Sequence, residues 1–453
     1  MRAINGLIKQ AKALSGDSRG NFALLTAVAT PVLMMSVGLG VNVAQSYHLK
    51  SSLQHALDAA VTSTARDLTT GKITEKDAKS VVMGFLDANT DPRFATTATY
   101  TLDSLNVDMA AKTVSASVSA NVLLGFPLFS VLAPRVSVDS AALYSDKAVE
   151  VAMMLDLTGS MKGSKIADLK TAATNAVTTL LGSQNAAKPR VRIALVPYAN
   201  SVNVGALAAK SVFVEKVAAD RQRTGGNADP IFVSSGGARL DNCATERPGA
   251  HQYTDVGPDV SMVHRDYLLS GYADYYSTTT CPSTAIMPLT ADGAALKKTI
   301  NSFVAEGGTA GHIGVQWSWY MLSEKWGDTV GTASRPASPD PKKVAKYAIL
   351  MTDGEFNLSY FDVSDKKQAY NDLGKKATRD AAKTLCKAMR DAGIEIFTVG
   401  FMLQEPNAKA TMKDCASPDS GWVRHYFEAA TGKELDSAFQ EISSNIEALV
   451  LTK

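Results

Sequence analysis

Three separate stretches of the chain carry oxygen-bearing side chains that could bind a hard metal cation. An apolar run stops at Asp156, and hydroxyl side chains follow at Thr158 and Ser160. A Gly-Gly-Thr sequence ends at Thr309, and a second apolar run is closed by Thr-Asp, with the carboxylate at Asp353. Mg²⁺ prefers about six oxygen ligands in near-octahedral geometry and usually keeps several waters among them. We therefore predict that these five side chains bind Mg²⁺ (or Mn²⁺).

The composition of this ligand set favours binding over catalysis. Its two carboxylates neutralise a dication and its three hydroxyls add no charge. The bound metal could therefore attract one more carboxylate, an Asp or Glu offered by a protein partner. The set contains no general base of the kind that hydrolysis needs. H-E-x-x-H and Walker A patterns are also absent from the sequence. We therefore predict an adhesion-type site and no enzymatic activity.

Two other interpretations of the same residues stay open at this stage. Asp156 and Asp353 could be ordinary strand-end and helix-cap residues. Alternatively, the chain could be a metal-dependent phosphatase, because residues 156–158 match half of an Asp-x-Asp phosphatase motif, although the second Asp is missing. Turnover of a phosphate ester that is lost in Asp156→Ala would identify such an enzyme.

The elements that must position these residues alternate between strand and helix from residue 149 onwards. Apolar runs predict strands, and apolar residues at helical spacing predict helices between them. The predicted strands are 149–156, 192–198, 344–351 and 394–401, and the predicted helices are 165–181, 296–304, 312–322, 377–392 and 433–451. This alternation is typical of an α/β fold with a parallel, doubly wound sheet. Ligands of such sheets bind at the carboxyl ends of the strands, where Asp156 and Asp353 both fall.

These motifs together resemble the metal-ion-dependent adhesion site (MIDAS) of von Willebrand factor A domains. The resemblance rests on residues 156–160 (Asp-x-Thr-x-Ser), 307–309 (Gly-Gly-Thr) and 352–354 (Thr-Asp-Gly). The family has Asp-x-Ser-x-Ser in the first motif, so Thr158 is a departure that keeps the hydroxyl. The resemblance implies a Rossmann-like domain, here 149–453, whose metal takes its last ligand from a partner.

The alternation breaks between about residues 200 and 290, in a Gly-, Ser-, Asp- and Tyr-rich stretch that we predict to be an insertion. The chain has four cysteines, none in a C-x-x-C pair: Cys243, Cys281, Cys386 and Cys415. Four cysteines fit two disulfides in an oxidising compartment, or four reduced thiols in the cytosol. Three pairings are possible, and the spacing favours Cys243–Cys281 inside the insertion and Cys386–Cys415.

A long uncharged stretch follows a short basic tail at residues 1–19. Asp, Glu, Lys and Arg are all absent from Gly20 to Leu49, and the apolar core at 22–43 has roughly the 20 residues that span a bilayer. Positive charge is concentrated before this core, which predicts a cytoplasmic N-terminus. We therefore predict a cytoplasmic tail followed by an uncleaved transmembrane anchor at residues 20–45.

Two processed forms are the alternatives to an uncleaved anchor. A cleaved signal peptide would have an apolar region of only about 7–15 residues. A prepilin-type segment cut after Gly20 would resemble type IV pilins, which have Glu at the fifth position after the cut, where this chain has Leu25. Cleavage near Gly20 would release the chain as an extracellular adhesin, which is the alternative to a membrane-bound protein.

Residues 46–148 are predicted to form a stalk helix and a small pilin-like α+β unit. Leu49, Leu53 and Leu57 recur every four residues and give the helix an apolar stripe. Alternating apolar and polar residues predict three antiparallel strands, at 99–107, 113–123 and 136–143. The stripe could pack on the structure that follows it, or it could dock a pilin-like stalk into an assembly.

The N-terminal part also resembles a known family. Residues 19–23 (Arg-Gly-Asn-Phe-Ala), Pro31 and residues 52–60 (Ser-Leu-Gln-His-Ala-Leu-Asp-Ala-Ala) look like the start of TadE/TadG-type proteins of tight-adherence (Flp) pilus systems. TadG-type members join such an anchor to a von Willebrand A domain. The resemblance covers about residues 15–70 and 149–453. It implies pilus assembly or secretion, other pilus-assembly components as partners, and a bacterial inner-membrane protein with periplasmic C-terminal domains.

The overall charge argues against a nucleic-acid partner. The chain has 46 Lys and Arg against 44 Asp and Glu, a formal net charge of +2. Nucleic-acid-binding domains usually carry a clear basic excess. We therefore expect partners to be proteins and the membrane.

Overall fold

The chain divides into two compact units in the computed structural model. Unit 1 spans residues 1–68 and 73–144, and unit 2 spans residues 69–72 and 145–453. The structure describes residues 20–69, 72–89, 98–108, 111–122, 135–145, 147–182, 184, 189–213, 242–247, 249–264, 282–360 and 371–452.

Unit 1 consists of one long helix, one short helix and a three-stranded sheet. Its elements are α1 (Gly20–Thr69), a 3₁₀ turn (Glu75–Asp77), α2 (Ala78–Asn89), β1 (Ala98–Asp108), β2 (Thr113–Val122) and β3 (Arg135–Leu143). The strands pair antiparallel in the order β1-β2-β3. Each strand begins and ends within one residue of its predicted bounds.

The apolar stripe of α1 packs on this sheet. Leu49, Leu53 and Leu57 are buried in one cluster with Val114 and Val118, which lie on the same face of β2. Alternate residues of a strand share a face, so β2 presents these two valines together to the helix. The stripe therefore packs on the strands that follow it in the chain, which is the first of its two interpretations.

The part of α1 that precedes the stripe exposes apolar side chains in every direction. Leu33 and Met34 are 65% and 68% exposed, and Val37 is 63% exposed. A helix that is apolar all round needs an apolar environment. Among the described residues, this is also the one helix long and apolar enough to cross a membrane. It is therefore compatible with a single-pass anchor, with Pro31 inside the span.

Unit 2 alternates strands and helices over most of its length. Its strands are β4 (Ala148–Asp156), β5 (Val191–Tyr198), β6 (Val202–Asn203), β7 (Cys243–Ala244), β8 (Met287–Thr290), β9 (Val344–Thr352), β10 (Ile394–Phe401) and β11 (Tyr426–Ala429). Its α-helices are α3 (Ser164–Leu181), α4 (Gly293–Asn301), α5 (Gly311–Tyr320), α6 (Gly327–Val330), α7 (Asp372–Asp391), α8 (Pro406–Cys415) and α9 (Gly432–Thr452). Short 3₁₀ turns occupy Gly159–Met161, Gly205–Ala209, Gly249–His251, Glu324–Trp326 and Thr332–Ser334.

Six of these strands form one sheet in the order β11-β10-β9-β4-β5-β8. All neighbouring strands are parallel except β5 and β8. Met153 of β4 belongs to the core cluster that includes α3 and α9, whereas Met154 belongs to the cluster that includes α5 and α7. Both faces of the sheet are covered, which explains why its four longest strands are mostly apolar. The predicted doubly wound α/β fold is therefore confirmed.

The sequence patterns do not predict β8, α8 or β11. The two strands have four residues each, too few for a periodicity to be recognised. β8 also contains Pro288, which a sheet accommodates at its edge, and it lies in the stretch predicted to be an insertion. α8 begins with Pro406, and proline is a favourable first residue of a helix. This proline is the one local signal for α8.

The described part of the 200–290 stretch packs on the core of unit 2. β6 and β7 form a two-stranded antiparallel ribbon, and the Thr245 N–H donates to the His264 carbonyl at 2.9 Å. Phe213 is buried in the same cluster as α5. Arg247 is fully buried, and its guanidinium lies 4.7 Å from the centre of the Tyr320 ring. This stretch is therefore an integral part of the domain core where it is described.

One disulfide ties α7 to the last residue of α8. It joins Cys386 and Cys415, a pairing that the spacing favours. Both residues are buried. Cys243 is also disulfide-bonded, and its predicted partner Cys281 lies outside the described residues.

We predict that the double variant Cys386→Ala/Cys415→Ala lowers the free energy of unfolding of unit 2 by about 3 to 4 kcal/mol. Cross-linking restricts the unfolded chain, and the sequence separation here is 29 residues. Denaturant unfolding of the detergent-solubilised chain, followed by tryptophan fluorescence, measures this loss. All four tryptophans lie in unit 2: Trp317, Trp319, Trp326 and Trp422.

The control for this experiment is Thr384→Ala, at an exposed position of α7. Surface substitutions of this kind usually change stability by less than about 0.5 kcal/mol. A double variant that unfolds at the same denaturant concentration as this control would contradict the stabilising role of the disulfide.

Candidate metal centre

Asp156 ends β4 at the carboxyl edge of the sheet, where its side chain is fully buried. Its Oδ2 accepts hydrogen bonds from the Tyr198 hydroxyl at 2.9 Å and from the Thr352 hydroxyl at 2.8 Å. Its Oδ1 accepts one from the Thr158 N–H at 2.8 Å. Tyr198 and Thr352 are the last residues of the strands on either side, β5 and β9. Parallel pairing therefore delivers both hydroxyls to the same carboxylate.

The environment of Asp156 disfavours an isolated negative charge. Burial and the nearby charge of Asp353 raise the pKa of Asp156 to about 6, against the opposing effect of its hydrogen bonds. Burial also raises the pKa of Tyr198 well above its usual value, so that hydroxyl stays protonated and donates. A cation close to the two carboxylates would favour their ionised forms.

A chain of short hydrogen bonds joins the 156–160 loop to Asp353. The hydroxyls of Thr158 and Ser160 lie 2.9 Å apart. Ser160 in turn donates to Asp353 Oδ1 at 2.6 Å. Lys165, in the first turn of α3, places its ammonium nitrogen 2.7 Å from Asp353 Oδ2. Four of the five predicted ligands therefore belong to one connected network.

The fifth predicted ligand, Thr309, lies on a loop that packs against the first motif. The Gly159 N–H donates to the Gly307 carbonyl at 2.9 Å, and the Glu306 N–H donates to the Leu157 carbonyl at 2.7 Å. A Cβ atom at position 159 would lie 3.2 Å from the Gly307 oxygen, so a larger residue there would require the loop to shift by a few tenths of an ångström. Gly307 itself has a φ of 87° and turns the loop.

Polar residues from two other segments hold the Thr309 loop in place. The Thr309 N–H donates to Asn357 Oδ1 at 2.9 Å, and the Asn357 N–H donates to the Thr309 carbonyl at 2.9 Å. The Gly308 N–H donates to Asn200 Oδ1 just after β5. Thr309 is only 3% exposed. Its backbone is therefore fixed from both sides.

Behind this loop, Glu246 connects the described part of the 200–290 stretch to the site. Its Oε1 lies 2.6 Å from His312 Nε2 and accepts a hydrogen bond from the Tyr360 N–H at 2.8 Å. His312 Nδ1 lies 2.7 Å from the Thr378 hydroxyl. His312, although close to Thr309 in sequence, is fully buried and committed to these two partners.

The residues present fit a divalent cation. Asp156 and Asp353 carry two negative charges when ionised, and Lys165 supplies one positive charge within ion-pair distance of Asp353. Hydroxyl and carboxylate oxygens, the donor atoms that Mg²⁺ prefers, are the groups brought together here. The part of the chain that the structure describes holds no group of three or more His, Cys, Asp or Glu side chains suited to a metal. A cation site here must therefore combine carboxylates with hydroxyls.

Three residues of the site lie outside the motif pattern: Tyr198, Asn357 and Lys165. Thr352 belongs to the Thr-Asp-Gly motif, but its hydrogen bond to Asp156 was not predicted. Tyr198 and Thr352 end their strands, so the carboxyl-edge rule could have identified them once the strand order was known. Asn357 and Lys165 act across long sequence separations, 48 and 188 residues, and no local pattern identifies them.

We predict that Asn357→Ala destabilises unit 2 by about 1–3 kcal/mol, because it leaves the buried Thr309 N–H without its acceptor. Tryptophan-monitored unfolding measures the loss, and faster amide exchange in peptides covering 305–312 locates it. Asn357→Asp keeps an acceptor oxygen and is the matched control. Equal exchange rates in Asn357→Ala and the native chain would show that this hydrogen bond does not fix the loop.

Comparison with known proteins identifies one family and several distant structural neighbours. Residues 20–67 match the Tad family model, described as Flp pilus-assembly TadE/G-like. The sequence matches none of the curated proteins with which it was compared. The predicted resemblance of the N-terminal segment to TadE/TadG-type proteins is confirmed by the family match.

Three solved structures illustrate the distant neighbours of the chain. The first is the vWF domain of the type V pili tip protein Mfa5 from Porphyromonas gingivalis, at 15% identity over 67% of this chain and 96% of that chain, with a TM-score of 0.36. The second is the pilus adhesin RrgA from Streptococcus pneumoniae, at 12% identity over 78% of this chain and 49% of that chain, with a TM-score of 0.33. The third is proximal thread matrix protein 1 from the mussel byssus, with a zinc-occupied MIDAS motif, at 11% identity over 67% of this chain and 46% of that chain, with a TM-score of 0.30. The chain thus spans about half of the second and third proteins.

The family match covers residues 20–67, which lie in the long N-terminal helix α1. The helix α1 and the six-stranded sheet belong to the same chain. The chain joins a TadE/G-like segment of the Flp pilus-assembly type to a doubly wound α/β domain.

Proposed function

We propose that this chain is a membrane-anchored extracytoplasmic protein that binds a protein partner through a Mg²⁺-dependent adhesion site. The process would be tight-adherence (Flp) pilus assembly or secretion. The observation that carries this proposal is the hydrogen-bonded network of Asp156, Thr158, Ser160 and Asp353 at the carboxyl edge of the sheet.

The metal would be held by the two carboxylates and the hydroxyls of Thr158, Ser160 and Thr309. When bound, Mg²⁺ (or Mn²⁺) would supply a positive centre able to coordinate one more oxygen ligand. The chain's own residues orient this centre: Tyr198 and Thr352 hold the Asp156 carboxylate by hydrogen bonds. Because the two carboxylates only neutralise the dication and the hydroxyls add no charge, the metal could still attract an Asp or Glu carboxylate from a partner.

Binding is a better match than catalysis for the groups around this network. A general base must be free to accept a proton from a water or a substrate. His312, the histidine closest in sequence to Thr309, is buried between Glu246 and Thr378. Lys165 is paired with Asp353. These contacts support a non-enzymatic role.

The helix α1 and the disulfide support the proposed location. The basic tail at residues 1–19 precedes the apolar helix, which favours a cytoplasmic N-terminus. The disulfide Cys386–Cys415 suits an oxidising compartment such as the periplasm. We infer an inner-membrane protein of a bacterium, with unit 2 on the periplasmic side and other pilus-assembly components as partners.

We expect the detergent-solubilised full chain to capture periplasmic proteins in Mg²⁺ and to lose them in EDTA. Asp353→Asn should weaken Mg²⁺ binding at least about tenfold, a loss of about 1.4 kcal/mol, because it removes one of two carboxylates. It should also abolish the Mg²⁺-dependent capture. Isothermal titration gives the affinity, and mass spectrometry identifies the captured proteins.

Asp391→Asn is the matched control, because this Asp ends α7 and its side chain is 63% exposed beside Lys387. It removes the same charge from the same domain and should leave metal binding and capture unchanged. Capture of the same proteins in Mg²⁺, in EDTA and by Asp353→Asn would refute a metal-dependent adhesion site.

We further predict that the chain stays in the membrane pellet after alkaline carbonate extraction and that deletion of residues 1–45 releases it. The deletion removes the exposed apolar part of α1 and keeps the stripe that begins at Leu49. A protease added outside the inner membrane should reach unit 2 in spheroplasts. An intact mass that lacks residues 1–20 would instead favour the released extracellular form.

A further inference from the structure

Lys165 has a position at the site that the metal-binding motif does not explain. It lies in the first turn of α3, and its ammonium nitrogen is 2.7 Å from Asp353 Oδ2. The Asp353 side chain is fully buried, whereas the Lys165 side chain is 25% exposed. Lys162, three residues earlier, is exposed. Of these two neighbouring lysines, Lys165 is therefore the one that pairs with Asp353.

With the Lys165 contact, each carboxylate oxygen of Asp353 has a partner within the protein. Ser160 donates to Oδ1 at 2.6 Å, and Lys165 occupies Oδ2. Asp156, at the end of the adjacent strand, is buried as well and adds to the negative charge. An unpaired carboxylate buried in a protein is strongly destabilising. Lys165 is thus the positive charge that the protein itself supplies to this pair.

We propose that Lys165 is the internal counter-ion of the site and that it competes with the divalent cation for Asp353. This inference rests on the proposed metal-binding function. A cation that takes Asp353 Oδ2 as a ligand must first displace the ammonium group. Breaking the Lys165–Asp353 ion pair costs free energy. The metal affinity is therefore lower than the oxygen ligands alone would give. Lys165 therefore sets the metal concentration at which the site engages its partner.

The chemistry of lysine suits this exchange. Its ammonium is a compact, strongly hydrated charge on a flexible four-carbon stem, so it can leave Asp353 and return to water. The partial exposure of Lys165 gives it a route to solvent without movement of the backbone of α3. An arginine at the same position would hold a carboxylate through a planar fork and exchange less readily.

The test is Mg²⁺ titration of the full chain in detergent, by calorimetry, for the native chain, Lys165→Met, Lys165→Arg and Lys162→Met. We expect Lys165→Met to bind Mg²⁺ at least fivefold more tightly than the native chain, and Lys165→Arg to bind no more tightly than the native chain. Lys162→Met removes the same charge from an exposed neighbour. Screening over about 8 Å at physiological salt should limit its effect to less than twofold.

A second measurement separates this role from a merely structural one. In EDTA, Lys165→Met should unfold at a lower temperature than Lys162→Met, because two buried carboxylates lose their counter-ion. Saturating Mg²⁺ should remove that difference. A residue that only supports the fold would lower the unfolding temperature in both conditions and would not tighten metal binding.

The outcomes distinguish the two proposals. Saturable Mg²⁺ binding by the native chain with equal or weaker binding by Lys165→Met overturns the counter-ion proposal and leaves the metal site standing. Equal tightening by Lys165→Met and Lys162→Met would reduce the effect to general electrostatics and also overturns it. Absence of saturable Mg²⁺ binding in all four proteins overturns the metal site and the counter-ion together.

Discussion

Two carboxylates end adjacent strands of the sheet, and the domain has to accommodate both charges in a buried position. The parallel pairing of β4 with β9 brings Asp156 and Asp353 to one edge, although 197 residues separate them in the chain. Burying like charges together is costly unless donors and cations surround them. Tyr198, Thr352 and Lys165 meet that requirement from three different elements. The same arrangement makes the site attractive to a cation.

The main strands and helices were predictable because each leaves a local pattern. β4, β5, β9 and β10 are mostly apolar because helices cover both faces of the sheet, and the motif residues fall where those apolar runs stop. The order of the strands in the sheet leaves no such pattern. For that reason Tyr198 and Thr352 could not be assigned to Asp156. Lys162 and Lys165 lie only three residues apart, and no local pattern indicates which of them contacts Asp353.

The stretch from 200 to 290 contributes to the domain core in a way that its composition does not indicate. Its composition is typical of a surface loop, but its described parts contribute buried residues such as Phe213, Arg247 and Glu246 to the domain. Glu246 contacts both His312, which follows the Thr309 loop, and Tyr360, which follows the Asp353 loop. The conformation of this stretch is therefore linked to two of the three loops that carry the predicted ligands. The link consists of long-range contacts of Glu246, which the composition of the stretch does not predict.

The two border strands of the six-stranded sheet have only four residues each, and one of them runs antiparallel and contains Pro288. Short or proline-containing borders offer few free N–H and C=O groups to a passing chain. Recognition by addition of a foreign strand is therefore poorly supported in this domain. Short edges of this kind also protect a sheet from edge-to-edge aggregation.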